Sequence, residues 1–301
     1  MSDLKLFNIK DGVQELKGES VELEKSLQNL MEANLNTFLG INFLASEYST
    51  GEIHGGRIDT VGIDENNCPV IIEYKRSMNQ NVINQGLYYL DWLMDHKANF
   101  KLLVMEKLGP EIAGQIEWSS PRLLCIAGDF TKFDEHAVRQ INRNIELIRY
   151  KKYEDELLLL ELVNASTGTN TGTGRVDEKG YSSKSHKSVT DSLNQADENI
   201  KDLYENIKEF LLNLGDDVQE KTLRHYIAFK RFQNFACLLI HSKSILAYLK
   251  VDPGTVELEE GFTRDVTEIG HLGTGDLEVT LTSNEDFDRA KDLFVRSYEG
   301  S

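Results

Sequence analysis

Cysteine is scarce in this chain. Cys68, Cys125 and Cys237 are the only three in 301 residues. They are odd in number and far apart, they form no CxxC, and no histidine pair stands at zinc spacing. A disulfide framework and a structural zinc site are both disfavoured. Buried or chemically neutral surface thiols are the expectation.

Long hydrophobic runs are missing too. None approaches the roughly 18 residues needed to cross a bilayer. The longest, "LLLLELV" at Leu157–Val163, suits a buried strand. The N-terminal "MSDLKLFNIKDG" lacks the basic-then-apolar order of a signal peptide, so a cytoplasmic protein with no membrane partner is expected. Positive charge is in deficit: 33 Lys and Arg face 50 Asp and Glu, a formal net charge of −17. Such a chain should not coat nucleic acid nonspecifically, which argues against a histone-like role but leaves room for an enzyme with a local basic groove.

Several catalytic signatures are also absent. There is no GxSxG and no HExxH. "HLGTGDLEV" at His271–Val279 lacks Gly-Lys-Ser/Thr and precedes a strand, so it reads as a tight turn. Asp64 and Glu65 lack the surrounding pattern of a calcium loop.

What is present begins with a break in composition. Asn164–Asp191 is rich in Gly, Ser and Thr and nearly empty of large apolar residues, and it reads as a linker. It separates a domain at 1–163 from a smaller one at 192–301. In the first, Val21, Leu23, Leu27, Leu30, Met31 and Leu35 recur at helical spacing. Strands are predicted at Ile41–Tyr48, "GRIDTVGID" and "PVIIEYKR", the last two joined by a hairpin turn at Asp64–Asn67. "QNVINQGLYYLDWLMDH" is a second helix, "FKLLVMEK" a fourth strand and "RLLCIAGDF" a fifth. "DEHAVRQINRN" is a helix, and "IELIRYKKYEDELLLLELV" holds the last strands. This is an α/β layer arrangement. In the second domain, "SLNQADENIKDLYENIKEFLLNLG" reads as a helix stopping at Gly215, and "VQEKTLRHYIAFK" as another. Three strands follow, "FACLLIHSK", "ILAYLKV" and "DLEVTLTS". A closing helix, "NEDFDRAKDLFVRSYE", is capped by Ser283 or Asn284, giving an α+β module.

The chemistry gathers in "GGRIDTVGIDENNCPVIIEYKR", Gly55–Arg76. Side chains alternate along a strand, so Glu73 and Lys75 share a face. Asp59 lies on the strand across the hairpin, and a plausible register sets it beside Glu73. Two carboxylates meeting there repel unless a cation sits between them. Mg²⁺ is commonly held by one or two carboxylates, water and substrate phosphate. The plain alternative is that Glu73 and Lys75 decorate a solvated strand face. Against it, "VII" precedes them in a continuous apolar run of the kind buried on both faces, where an unpaired charge is costly.

Asp, hairpin, then Glu-x-Lys resembles the active-site pattern of the PD-(D/E)xK nuclease superfamily. Ser46–Arg76 is similar to its NucS-type and RecB-like endonuclease domains, and the likeness spans roughly residues 20–105. The resemblance implies a restriction-endonuclease-like αβββαβ core and a metal-dependent endonuclease. It implies that Asp59, Glu73 and the Tyr74 carbonyl hold Mg²⁺ or Mn²⁺, and that Lys75 positions or activates water. Glu47 on the first strand and Glu24 on the first helix match accessory acids, and Gln85 and Tyr89 match a Gln-x-x-x-Tyr signature on the following helix. Gln85 would support Lys75 or the scissile phosphate. Arg57 and Arg76 flank the motif and either touch phosphate or balance nearby acids; helix packing alone would also account for Tyr89. The implied partner is nucleic acid, DNA ahead of RNA, with a second copy of the chain as a candidate partner. The alternative is a nucleic-acid-binding or adaptor protein on a nuclease-like scaffold that does not cut.

Overall fold

A computed structural model describes residues 4–10, 12–19, 24–51, 55–75, 82–154, 156–166 and 188–301. The chain divides into two compact units, Met1–Gly168 and Thr169–Ser301. Among the described residues no helix is long and apolar enough to cross a membrane.

The first unit opens with short strands β1 (Leu6–Asn8), β2 (Gln14–Leu16) and β3 (Gly18–Glu19), then helices α1 (Glu24–Ala33) and α2 (Leu35–Leu39). Strands β4 (Ile41–Ser49), β5 (Arg57–Asp64) and β6 (Pro69–Lys75) follow, then helices α3 (Val82–Asp95), α4 (Lys97–Leu108) and α5 (Pro110–Gly114). Strand β7 (Arg122–Ala127), helix α6 (Lys132–Gln140) and strands β8 (Asn144–Tyr153) and β9 (Leu157–Ser166) complete it. The main sheet is mixed and seven-stranded. Strands β4, β5 and β6 are antiparallel neighbours, β6, β7 and β8 are parallel, and β9 returns antiparallel to β8. Strand β3 pairs with the far end of β8.

The hairpin between β5 and β6 forms where its turn residues stand. Asp64 Oδ1 accepts from the amides of Asn66 (2.9 Å) and Cys68 (2.8 Å), and Asn67 takes a left-handed φ of 58°. Strand β6 is buried throughout except for Lys75, because helices cover both of its faces. Glu73 meets α3 through Gln85, whereas its neighbour Tyr74 meets Thr60, which is bonded to Glu32 of α1. Strand alternation therefore puts α1 and α3 on opposite faces. At the other end of β5, Arg122 lies buried between Asp64 and Glu146, with bonds of 2.7 to 2.9 Å. Burial pushes its guanidinium pKa down, but the two carboxylates outweigh that and hold it above the ordinary value.

Several sequence expectations need correction. "FKLLVMEK" lies within helix α4. A contiguous apolar run fits either period, and here Phe100 and Val104, four apart, are buried while Leu102 and Met105 face out. "VQEKTLRHYIAFK" contains no helix; it holds strands β10 (Gln219–Thr222) and β11 (Ile227–Lys230), joined by a turn in which the Leu223 amide donates to the Tyr226 carbonyl. "LLLLELV" is half-buried rather than buried, because β9 is an edge strand. Strand β9 and helix α7 (Val189–Gln195) take in both ends of the expected linker, and 167–187 falls outside the described residues.

In the second unit the one expected helix is two, α7 and α8 (Glu198–Leu212), broken where Ala196 and Asp197 take extended backbone geometry. Strands β12 (Asn234–Ile240), β13 (Ile245–Leu249), β14 (Thr263–Asp265) and β15 (Leu277–Leu281) complete a six-stranded antiparallel sheet, ordered β10-β11-β12-β13-β15-β14. Helices α8 and α9 (Asn284–Glu299) bury Ile200, Leu203, Ile207, Phe287 and Phe294 against Phe229, Leu238, Leu249 and Val279. Ser283, not Asn284, caps α9: its hydroxyl accepts from the Asp286 amide. All three cysteines are buried, and none forms a disulfide.

Candidate metal centre

The register of three adjacent strands lines up three acids. Thr60 pairs with Ile72 between β5 and β6, so Asp59 and Glu73 are the next pair along. Ser46 pairs with Thr60 and Tyr48 with Ile58 between β4 and β5, which brackets Glu47 opposite Asp59. Residues directly opposite one another in a sheet are side-chain neighbours.

The β5–β6 pairing stops at Thr60 and Ile72, and the acids take over the main-chain donors beyond it. Asp59 N–H donates to Glu73 Oε1 at 3.2 Å, and Tyr74 N–H donates to Asp59 Oδ2 at 3.0 Å. Each carboxylate is thus tied to the other strand. Gln85, at the start of α3, donates from Nε2 to Glu73 Oε2 at 2.9 Å, so both oxygens of Glu73 are engaged. Glu73 is 0% exposed. Burial first, then the charge of Asp59, with a smaller push from Glu47, lifts its pKa from the ordinary 4.5 to about 8. The Asp59 amide and the charge of Lys75 pull the other way. Lys75 ends β6 half-buried.

The remaining expected residues are placed as follows. Glu47 is exposed, with a left-handed φ of 50°, uncommon for a residue with a side chain. Its carboxylate meets Lys25 Nζ at 3.1 Å and Arg57 Nε at 4.0 Å. Arg57 is 70% exposed along its side chain. Tyr89 is buried in the core one turn beyond Gln85. Its ring packs so closely on Gly56 that a Cβ there would lie 2.7 Å from the Tyr89 hydroxyl, which is why glycine stands next to Arg57. Glu24 begins α1, but its side chain and the whole of Arg76 fall outside the described residues. Sequence reasoning passed over Lys25, Gln28 and Glu32. They form a polar stripe at i, i+3 and i+7 on α1, a signal hidden by attention to its apolar positions.

Among the described residues, no group of three or more His, Cys, Asp or Glu is arranged to hold a metal ion. Asp59 and Glu73 would supply the smaller protein set that Mg²⁺ takes, one or two carboxylates with water and substrate oxygen filling the rest of the shell. The buried Glu73 carboxyl beside Asp59 carries the fit: a divalent cation is the species that would let both ionise.

A pH prediction follows from the raised pKa. Below about pH 4.5, folded and unfolded chains both carry a protonated Glu73. Between 4.5 and 8 only the folded chain keeps the proton, so stability falls as pH rises, by at most about 1.4 kcal/mol per pH unit. Glu73→Gln removes that slope. Urea unfolding in chelator at pH 5 and pH 8 should show the variant gaining on the wild type by a few kcal/mol at the higher pH. Parallel pH dependences in the two proteins would show that Glu73 is ordinarily ionised.

Residues 189–301 match the family described as Domain of unknown function (DUF5655). Two solved structures are similar over part of the chain. The crystal structure of a repair endonuclease from Pyrococcus abyssi is 20% identical with a TM-score of 0.29, the match covering 44% of this chain and 48% of that one. The structure of an EndoMS–dsDNA2 complex is 16% identical with a TM-score of 0.25, covering 44% and 47%. The chain thus matches about half the length of these two structures. An uncharacterized protein of Haemophilus influenzae is 31% identical over 290 residues, covering 94% of this chain and 95% of the relative. At that identity over nearly the full length of both proteins, the chain belongs to the same family as the uncharacterized Haemophilus influenzae protein.

Proposed function

We propose that the first unit is a Mg²⁺- or Mn²⁺-dependent endonuclease that hydrolyses phosphodiester bonds in DNA. The observation that carries this reading is the interlocked pair of half-buried Asp59 and buried Glu73, with Gln85 bonded to Glu73 and Lys75 two residues further along the strand. Helix α1, strands β4 to β6, helix α3 and strand β7 support reading this unit as a restriction-endonuclease-like core, with α2, α4 and α5 as additions. DNA is the substrate that the motif resemblance implies.

Asp59, Glu73 and the Tyr74 carbonyl would hold the ion, which supplies Lewis acidity at phosphorus and a more acidic water. Gln85 holds the Glu73 carboxylate in one orientation. Lys75 brings a positive charge to the same side of the strand, where it orients the attacking water and offsets charge building on phosphate oxygens. In the reaction a water oxygen bonds to phosphorus and one phosphorus–oxygen ester bond breaks, leaving a phosphate and a hydroxyl end. Arg57, exposed beside Glu47, would meet backbone phosphate.

The test is cleavage of single-stranded, duplex and branched DNA, and of RNA, with Mn²⁺ and with chelator. Metal-dependent cutting of DNA is the expected result. No cutting of any substrate would retire the nuclease reading in favour of an adaptor. Arg57→Ala is expected to weaken DNA binding severalfold and to flatten its salt dependence by about one unit of slope. Titrations at several salt concentrations measure both. An unchanged slope would assign Arg57 only to balancing Glu47.

A further inference from the structure

We propose that Gln28 is a positioning residue that holds Asp59 in place from the side of the sheet opposite Gln85; this rests on the metal-site reading of Asp59 and Glu73. Gln28 lies on α1 and is buried. Its Nε2 donates to the Asp59 carbonyl at 2.7 Å, to Glu32 Oε1 at 2.9 Å and to Ser46 Oγ at 3.2 Å, two hydrogens shared among three acceptors. The shortest of these bonds is the one to Asp59. Gln28 Oε1 accepts from Lys25 Nζ at 3.0 Å, and the same ammonium donates to Glu47 Oε1.

The need for this hold comes from a gap in the ladder. An antiparallel residue sends its N–H and C=O to the same neighbour. For Asp59 that neighbour is β4, since bonding alternates and Thr60 and Gly62 are the residues that bond to β6; the β4–β5 register passes from Ser46–Thr60 to Tyr48–Ile58 without pairing Glu47 and Asp59. The two main-chain groups of Asp59 are taken up by side chains instead: Glu73 accepts from the amide and Gln28 donates to the carbonyl. Both contacts bear on where this stretch of β5 sits. Losing Gln28 frees the backbone that aims the Asp59 carboxylate. Outer contacts that orient a ligand commonly change metal affinity about 10–100-fold when removed.

The decisive variant is Gln28→Met, which keeps the length and loses the amide. Hydrogen exchange at the Asp59 and Tyr74 amides, which report the two carboxylate bonds, should quicken about tenfold while the core amides of Leu124 and Ile126 stay unchanged. Mn²⁺ binding should weaken about tenfold and kcat should fall by a similar factor, with KM for DNA within about twofold. Lys25→Met keeps the bond to Asp59 and should leave exchange at both amides within about twofold. Wild-type exchange in Gln28→Met would overturn the proposal. So would an equal speeding of the Leu124 and Ile126 amides, which marks a merely structural loss, or an effect of Lys25→Met as large as that of Gln28→Met. If the wild-type protein binds no Mn²⁺, the metal reading fails on its own, and the exchange measurement still decides what Gln28 does.

Discussion

Asp59→Ala, Glu73→Ala and Lys75→Ala should each remove nearly all Mn²⁺-dependent cleavage, and the triple variant should be little worse than any one of them. In the proposed site the three would act as a unit: losing either acid would lose the ion, and losing the lysine would leave a badly placed water, so the effects would not add. The geometry sharpens this expectation. Asp59 and Glu73 each accept a hydrogen bond from the other's strand, so removing one also loosens the other. DNA affinity should survive all three changes, because in the proposed reading binding would come from phosphate contacts outside the metal site. Single-turnover cleavage alongside equilibrium DNA binding separates the two effects. Cutting that persists in both Glu73→Ala and Lys75→Ala would place the chemistry elsewhere.

Arg122→Ala is expected to cost about 3–5 kcal/mol of stability, the range for breaking a buried ion pair. The guanidinium makes two bonds to Glu146 and one to Asp64, and all three side chains are buried. Truncation leaves two carboxylates out of water with their shared cation gone. Asp64 also builds the turn that sets the β5–β6 register, and that register brings Asp59 opposite Glu73. The variant should therefore lose Mn²⁺ affinity as well as melting temperature. Replacing Arg122, Asp64 and Glu146 together by Met, Asn and Gln should recover part of the stability, since it leaves no uncompensated charge. Urea denaturation at pH 7 gives the comparison. A cost below about 1 kcal/mol for Arg122→Ala would mean that water reaches the two acids.

The contrast between Glu73 and Glu47 shows how far the site could be read in advance. Glu73 was legible because a charge closing a continuous apolar run contradicts its surroundings, and its burial follows from helices covering both faces. Glu47 carried no such contradiction. Its place opposite Asp59 depends on the β4–β5 register, which shifts at Phe43 and Ala45 through a bulge that the residue pattern does not announce. Gln85 was legible only through a resemblance. Its bond to Glu73 is a fact of how α3 packs on the sheet.

By itself the sequence determined what local physics controls: amphipathic helices at α1 and α3, the Asp64–Asn67 turn, the β5 and β6 strands, the closing helix α9, and an Asp and a Glu-x-Lys on either side of one hairpin. The tertiary structure decided what depends on partners distant along the chain. It made "FKLLVMEK" a helix, because Phe100 and Val104 found a core on one side only. It turned "VQEKTLRHYIAFK" into a hairpin, because Phe229 pairs across to Ala236 in a sheet that the segment itself does not encode. It joined Arg122 to Asp64 across 58 residues and Gln28 to Asp59 across 31. Periodicity reports which face of an element is apolar. Register and packing decide which polar groups meet, and a bond between remote residues leaves no spacing to read.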